Sequence, residues 1–395
     1  MSAPTPIRIL VAHQSADLYG SDRSLLELVE GLATPAGPFE FVVCLPEEGP
    51  LLRLLAARGI ETHVVSLMKI SRAVFRWWRL ARLPFALIRA HRGIDAVVRG
   101  RRIDLVYTNT LAVLAAALWA KRRHLPHIWH VREIVRHPLV VARLFGIAAL
   151  MLSRRVVCNS CETRAWICNG RSGFHNAVVV WNGVEAGDGR ALDDEHRRLK
   201  LALDVDPACP LVLMVGRINA WKGQDLLVDA VERLHEGACR NFVVVFLGSP
   251  PPGGSDYLRA LEARVVRSPA ARRIRIHSFV ADVTRYYRAA DIVVVPSREP
   301  EPFGRVAIEA MAHSVPVIAA GHGGLKEIVV DGQTGLLFEP NRAEALAEAL
   351  KRLLASEALR REMGQAARLR QVDRFSIDAY RRAMARQFRE VALAR

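Results

Sequence analysis

The chain has 395 residues, 51% of them hydrophobic and 24% charged, with a formal net charge of +16. That length accommodates two domains with their own cores, and the composition is that of a soluble globular protein rather than a repeat or low-complexity chain. No uninterrupted apolar run reaches the ~18 residues a membrane-spanning helix needs; residues 111–120 are too short, and residues 138–152 carry Arg143.

Met1 to Pro6 is short and polar, and Ile7-Arg-Ile-Leu-Val-Ala enters a strand directly. No signal peptide is read there, and the expected compartment is the cytoplasm. Further β-rich runs follow at residues 39–45, 60–66, 103–108, 127–131, 156–158 and 178–181, with amphipathic stretches such as 22–32 and 51–58 between them. Gly20 and Ser21, in Tyr19-Gly-Ser-Asp22, open the first of these helices, where a serine suits the N-cap. His130, in Trp129-His-Val-Arg-Glu133, stands at the end of a strand, with His127 a competitor for any chemical role.

Residues 66–183 hold 20 Lys and Arg against 4 Asp and Glu, so the remainder of the chain is balanced. A one-sided field of this kind attracts an anionic partner. Residues 68–92 carry seven basic side chains and no acid, interleaved with Phe75, Trp77, Trp78, Leu80 and Phe85. Arg72, Arg76 and Arg79 fall at helical spacing, which suits a helix lying on an anionic bilayer. The alternative is a helix that buries its aromatics in the N-terminal core and solvates its arginines. No nucleic-acid-binding motif accompanies the charge, so nucleic acid is not an expected partner. The six cysteines are scattered, and Cys158-Asn-Ser-Cys161 with Cys168 lacks the matched second pair of a structural zinc site. No metal is expected.

The polar, acidic stretch 185–195 marks a domain boundary. Beyond it the alternation resumes with strands at 211–215, 242–247, 274–277, 291–295 and 316–319. Regular strand–helix alternation predicts parallel sheets covered by helices on both faces. Arg217 and Lys222 lie between a strand ending at Gly216 and a helix starting near Gln224. There an arginine holds a diphosphate bidentately and a lysine adds a point charge. Glu301 and Glu309 flank a strand-to-helix corner in Ser297-Arg-Glu-Pro-Glu-Pro-Phe-Gly-Arg-Val-Ala-Ile-Glu309, where Gly304 permits the turn. Such corners bind ligands in open α/β sheets.

This last segment resembles glycosyltransferase family 4, whose signature is a Glu-x7-Glu pair. The resemblance continues through Val315-Pro-Val-Ile-Ala-Ala-Gly321-His-Gly-Gly-Leu-Lys-Glu327, Asp331-Gly-Gln-Thr-Gly335-Leu-Leu-Phe and, upstream, Val212-Leu-Met-Val-Gly216-Arg217-Ile-Asn-Ala-Trp-Lys222-Gly223. It implies a GT-B α/β fold: two Rossmann-like, doubly wound parallel-sheet domains facing a central cleft. Residues 1–185 form the acceptor-side domain, with helix 376–395 packing back on it, and residues 195–375 bind the nucleotide sugar. The implied reaction is retaining hexosyl transfer from a UDP- or GDP-linked sugar to a saccharide or lipid-linked acceptor, in cell-envelope or exopolysaccharide synthesis. No metal or other cofactor is implied. Arg217 and Lys222 would stabilise the leaving diphosphate, Glu309 would bind the ribose and Glu301 a hydroxyl of the transferred sugar. His130 would lie near that sugar, and Gly20, Ser21, Phe303, Gly304, Gly323 and Gly324 would line the nucleotide-sugar site. Ser21 departs from the family pattern, which has a second glycine there. Two other readings remain open, a GT-B phosphorylase or epimerase and a non-catalytic membrane-associated scaffold. No lysine motif for pyridoxal phosphate is visible, and the intact Arg217, Lys222, Glu301 and Glu309 speak against a dead site.

Overall fold

Apolar, largely β-branched runs build two all-parallel sheets. In the first, strands Ile7–Ala12 (β1), Phe39–Leu45 (β2), Glu61–Val64 (β3), Leu105–Thr108 (β4), His127–Val131 (β5), Arg155–Cys158 (β6) and Ala177–Val179 (β7) stand in the order β3-β2-β1-β4-β5-β6-β7. In the second, Leu211–Val215 (β8), Val243–Leu247 (β9), Ile274–His277 (β10), Ile292–Val295 (β11), Val317–Ala320 (β12) and Gly335–Phe338 (β13) stand in the order β10-β9-β8-β11-β12-β13. This is a computed structural model, and it describes residues 5–34, 37–68, 83–136, 138–169, 174–187, 189, 193–235 and 241–394. Its contacts divide the chain into two units, Met1–Gly183 with Ile377–Arg395, and Val184–Ser376.

Both faces of each sheet are buried at its central strands, as parallel sheets require, while the edge strand β3 is partly exposed. Along β1 successive side chains alternate between faces. Ile9 and Val11 join a core with Leu25, Leu28 and Phe388, whereas Leu10 and Ala12 pack with Ile94, Val106 and Trp119. The first of those cores includes Ile377, Tyr380, Met384 and Phe388 from the helix Ile377–Leu393. Full burial of a side chain such as Phe388 stabilises the folded chain by about 1.5–3 kcal/mol. In the second unit, Asp291 at the foot of β11 accepts hydrogen bonds from Lys200 Nζ at 2.7 Å and the Leu211 amide at 2.8 Å. That buried pair ties the helix Asp193–Leu201 to the strand ends remote from the ligand-binding edge.

In each sheet the chain reverses its direction of travel beside the first strand of the unit. The reversal falls between β1 and β4 in the first unit and between β8 and β11 in the second. These are the switch points, where loops at the carboxyl ends of adjacent strands diverge and leave a crevice.

Candidate functional site

The crevice of the second unit is bounded by residues 216–223 after β8 and 296–304 after β11. The two loops touch closely: Gly223 has φ +80°, and a Cβ there would stand 2.3 Å from the Pro296 carbonyl oxygen. The Arg298 amide donates to the Trp221 carbonyl at 2.8 Å. Beside them Gly248 comes so near Gly216 that any side chain would displace the backbone. Glycine is required at these points because the backbones themselves are in contact.

This contact brings Lys222 to Glu301, 79 residues apart in sequence. Glu301 is only 5% exposed, and its Oε1 accepts from Lys222 Nζ at 2.6 Å and from Ser297 Oγ. Lys222 also lies over the Trp221 ring, 4.6 Å from its centroid, and its amide donates to Asn219. A buried carboxylate is tolerated when it is paired and hydrogen-bonded, as here. Arg217 is exposed at the start of the same loop, and its carbonyl accepts from Gln224 Nε2 at 2.9 Å. Two cationic side chains and a carboxylate therefore occupy the rim of one switch point, beside the N-terminus of the twelve-residue helix Gln224–His235.

Glu309 lies inside the helix Arg305–Ala312. Its Oε1 accepts from Arg305 Nε at 2.6 Å and its Oε2 from Tyr287 Oη at 2.8 Å. Tyr287 in turn stacks on His313, with 5.8 Å between ring centroids and 12° between planes. Glu309 is thus held in one orientation by partners on both oxygens.

Other residues expected at the site have contacts within the protein itself. Gly323 and Gly324 serve the protein's own packing: a Cβ at Gly323, where φ is +61°, would lie 2.4 Å from the Glu301 carbonyl oxygen, and one at Gly324 2.6 Å from that of Phe303. The Gly324 amide also donates to the Glu301 carbonyl at 2.8 Å. The glycine pair therefore seats the loop after β12 against the backbone that carries Glu301. Phe303 buries its ring against Phe375, centroids 6.0 Å apart, so its side chain belongs to the core rather than to a ligand surface. Gly304 takes φ +115° at the helix start, and a Cβ there would collide with Leu325.

In the first unit Ser21 is not the N-cap. The helix Gly20–Leu32 is capped at Tyr19, and Asp22 Oδ2 accepts from the Tyr19 amide at 2.9 Å. Asp22, at the third helical position, thus satisfies the N-cap amide, and Ser21 lies inside the helix. His130 is fully enclosed, with Nδ1 2.7 Å from Tyr107 Oη and 3.4 Å from Arg132 Nη2. Burial, and then the neighbouring Arg132 charge, hold its pKa well below the ordinary value. His130 thus belongs to a buried hydrogen-bond network. His127 stands at the opposite end of β5, its two nitrogens against Thr108 Oγ1 at 2.8 Å and Ser153 Oγ at 3.0 Å, a structural arrangement.

The network around His130 includes residues that sequence reasoning missed. His13 follows β1, Asn109 follows β4 and Arg132 follows β5, so all three emerge at the carboxyl edge around the switch point. His13 Nε2 lies 2.6 Å from Asp22 Oδ1, and its Nδ1 3.2 Å from Asn109 Nδ2. Arg132 donates to Asn109 Oδ1 at 2.9 Å, Asn182 Oδ1 at 2.6 Å and Tyr380 Oη at 2.8 Å. Burial alone would raise the Asp22 pKa, but His13, Ser15 and the Tyr19 amide together bring it below the usual value. The available signal was a polar residue placed directly after each strand.

Among the described residues no group of three or more His, Cys, Asp or Glu side chains is arranged to hold a metal ion. No described helix is long and apolar enough to cross a membrane. Of the basic aromatic segment, Arg72, Phe75, Arg76, Trp77, Trp78, Arg79 and Leu80 lie outside the described residues.

Two parallel α/β sheets, each with polar and charged side chains gathered at its switch point, are the architecture of GT-B glycosyltransferases. Residues 19–187 match the model for Glycosyltransferase Family 4, and residues 199–370 match that for glycosyl transferases group 1. The chain belongs to glycosyltransferase family 4. Among curated proteins it is 44% identical over 191 residues to D-inositol 3-phosphate glycosyltransferase of Mycobacteroides abscessus, covering 46% of this chain and 41% of that one. The chain spans about half the length, or less, of the D-inositol 3-phosphate glycosyltransferases it matches. It is 28% identical over 285 residues to an uncharacterised glycosyltransferase of Methanocaldococcus jannaschii, covering 71% of this chain and 73% of that one. Among solved structures, a glycosyltransferase from Rickettsia africae superposes with TM-score 0.84 at 21% identity over 99% of this chain and 100% of that one. HepE of Anabaena, solved in complex with UDP-glucose, does so with TM-score 0.82 at 23% identity over 97% of this chain and 100% of that one. Both structural likenesses concern the fold.

Proposed function

We propose that this glycosyltransferase moves a hexose from a UDP- or GDP-linked sugar to a saccharide or lipid-linked acceptor, with retention of anomeric configuration and without a metal. The observation that carries the reading is the Lys222–Glu301 pair at the switch point of the second unit. Lys222 and Arg217 face the departing diphosphate, whose charge grows as the glycosidic bond to phosphate breaks. Glu301, held by Lys222 and Ser297, accepts a hydroxyl of the sugar. Glu309, fixed by Arg305 and Tyr287, accepts the ribose hydroxyls. The HepE complex with UDP-glucose supports a nucleotide sugar as co-substrate.

No pair of facing carboxylates of the kind retaining hydrolases use is assigned here. In the proposed step the anomeric carbon–phosphate oxygen bond breaks and the acceptor oxygen bonds on the same face. The acceptor's proton passes to the departing diphosphate. The charge excess of residues 66–183 supports work at an anionic membrane surface on the cytoplasmic side, with an acceptor of the cell envelope or an exopolysaccharide.

Incubation with a panel of UDP- and GDP-sugars tests the reading. Saturable binding and slow release of free sugar from one donor are expected. Phosphate-dependent cleavage of a glycan would support a phosphorylase instead, and failure to bind any nucleotide sugar would support a scaffold.

A further inference from the structure

The helix Leu139–Leu152 is apolar on two faces. Ala142, Gly146, Ala149 and Leu150 are buried, yet Leu139, Val140, Leu144 and Met151 are each 61–70% exposed. Val140, Leu144 and Met151 recur at intervals of four and seven, so they share one stripe of the helix. A helix that only covers a sheet has no need of large apolar side chains on its outer side, and a contiguous exposed patch marks an interaction surface.

The charge around this stripe narrows the choice of partner. Residues 136–155 contain Arg136, Arg143, Arg154 and Arg155 and no acid. Arg136, Arg143 and Arg154 are exposed, while Arg155 pairs with Glu390. A groove of about 520 Å³ opens alongside, lined by Arg136, Leu139, Arg143, Gly146 and Trp166, with Glu162 its one acidic residue. The helix Leu83–Val97 packs on the other side of Leu114–Arg122 in the same layer. It exposes Phe85 and Ile88 beside Arg89 and Arg92. A two-fold contact between copies through this stripe would set arginines against arginines, which disfavours self-association. Apolar side chains flanked by the exposed Arg136 and Arg143 fit the boundary of headgroups and acyl chains in an anionic bilayer.

We infer that the outer face of the helix Leu139–Leu152 is a membrane-docking surface. Val140, Leu144 and Met151 enter the headgroup–acyl boundary, and Arg136 and Arg143 meet lipid phosphates. The inference rests on the membrane-surface reading above but assigns the contact to a segment separate from the one around Trp77. The test is sedimentation of the full chain with vesicles of equal parts phosphatidylcholine and phosphatidylglycerol, comparing the wild type with V140E/L144E. Hydrolysis of the nucleotide-sugar donor catalysed by the chain without acceptor or vesicles monitors folding. The wild type is expected to pellet, and V140E/L144E to lose at least about tenfold in vesicle binding at unchanged hydrolysis. Should V140E/L144E lose hydrolysis, L144S replaces it with the same expectation at smaller amplitude. Equal pelleting of variant and wild type overturns the docking surface while leaving membrane association intact. A wild type that stays in the supernatant overturns both. A wild-type dimer that V140E/L144E dissociates, with no vesicle binding, assigns the stripe to a second copy and also overturns the inference.

Discussion

Lys222 Nζ lies 2.6 Å from Glu301 Oε1, joining the loops that leave β8 and β11 across the switch point of the second sheet. Neither side chain is freely solvated, with side-chain exposures of 19% and 7%. The pair is placed by backbone contact, because Gly223 abuts Pro296 and Gly323 abuts Glu301 itself. A site held in this way loses little freedom when it meets its ligand.

Removing either partner should therefore harm catalysis more than folding. Lys222→Ala removes a cation from the leaving diphosphate and leaves Glu301 without its ion pair. A fall in turnover of about 100- to 1,000-fold is expected, since a single preorganised electrostatic contact typically contributes that much. Glu301→Gln keeps the shape and the Ser297 contact, and is expected to lower kcat with little change in nucleotide affinity. Steady-state kinetics alongside thermal unfolding separate these outcomes. Near-normal turnover in Lys222→Ala would remove the assignment.

Glu309 offers a contrasting expectation. Glu309→Ala deletes the acceptor for Arg305 and Tyr287 together with the proposed ribose contact. Nucleotide affinity should weaken about tenfold or more, as the loss of a charge-assisted hydrogen bond predicts. Competition by free nucleoside diphosphate measures this directly, and an unchanged inhibition constant would place the ribose elsewhere.

Acid should destabilise the first unit for a definable reason. Burial lowers the His127 pKa to about 3, and burial with Arg132 holds His130 well below its ordinary value. Both titrate near about 6.5 in an unfolded chain. Below that pH the unfolded chain binds protons that the folded chain refuses. Their contribution is thus complete above ~6.5 and is lost progressively as pH falls toward about 3. Each histidine adds at most about 1.4 kcal/mol per pH unit to the slope. Urea midpoints measured from about pH 7.5 down to about pH 5 should fall, and His127→Asn should flatten the dependence even though it lowers stability overall. An identical slope in the variant would contradict the buried, neutral state.

The two-sheet fold was legible because twelve of the thirteen strands fall on short β-rich runs, most of them apolar. β13 was not read as a strand: Gly-Leu-Leu-Phe contains no β-branched residue, and its register depends on Gly335 fitting against Val317. Glu301, Glu309, Arg217 and Lys222 stood out by motif, but the direct Lys222–Glu301 contact did not, since it depends on glycine-mediated packing of distant loops. The same packing, which sets Gly323 against Glu301 and Gly324 against Phe303, was equally invisible in the sequence. The His13–Asp22–Asn109–Arg132 network stayed hidden because each member, taken singly, is an ordinary polar residue. Only the parallel topology places three of them along one edge.

The central claim is that Lys222 and its surroundings hold the diphosphate of a nucleotide sugar. Calorimetric titration of UDP and of GDP into the wild-type chain and Lys222→Ala tests it most directly. The account predicts saturable binding of one of the two nucleotides by the wild type, weakened at least about tenfold in a folded Lys222→Ala chain. Binding of neither nucleotide by the wild type, or equal affinity in the folded variant, would contradict it.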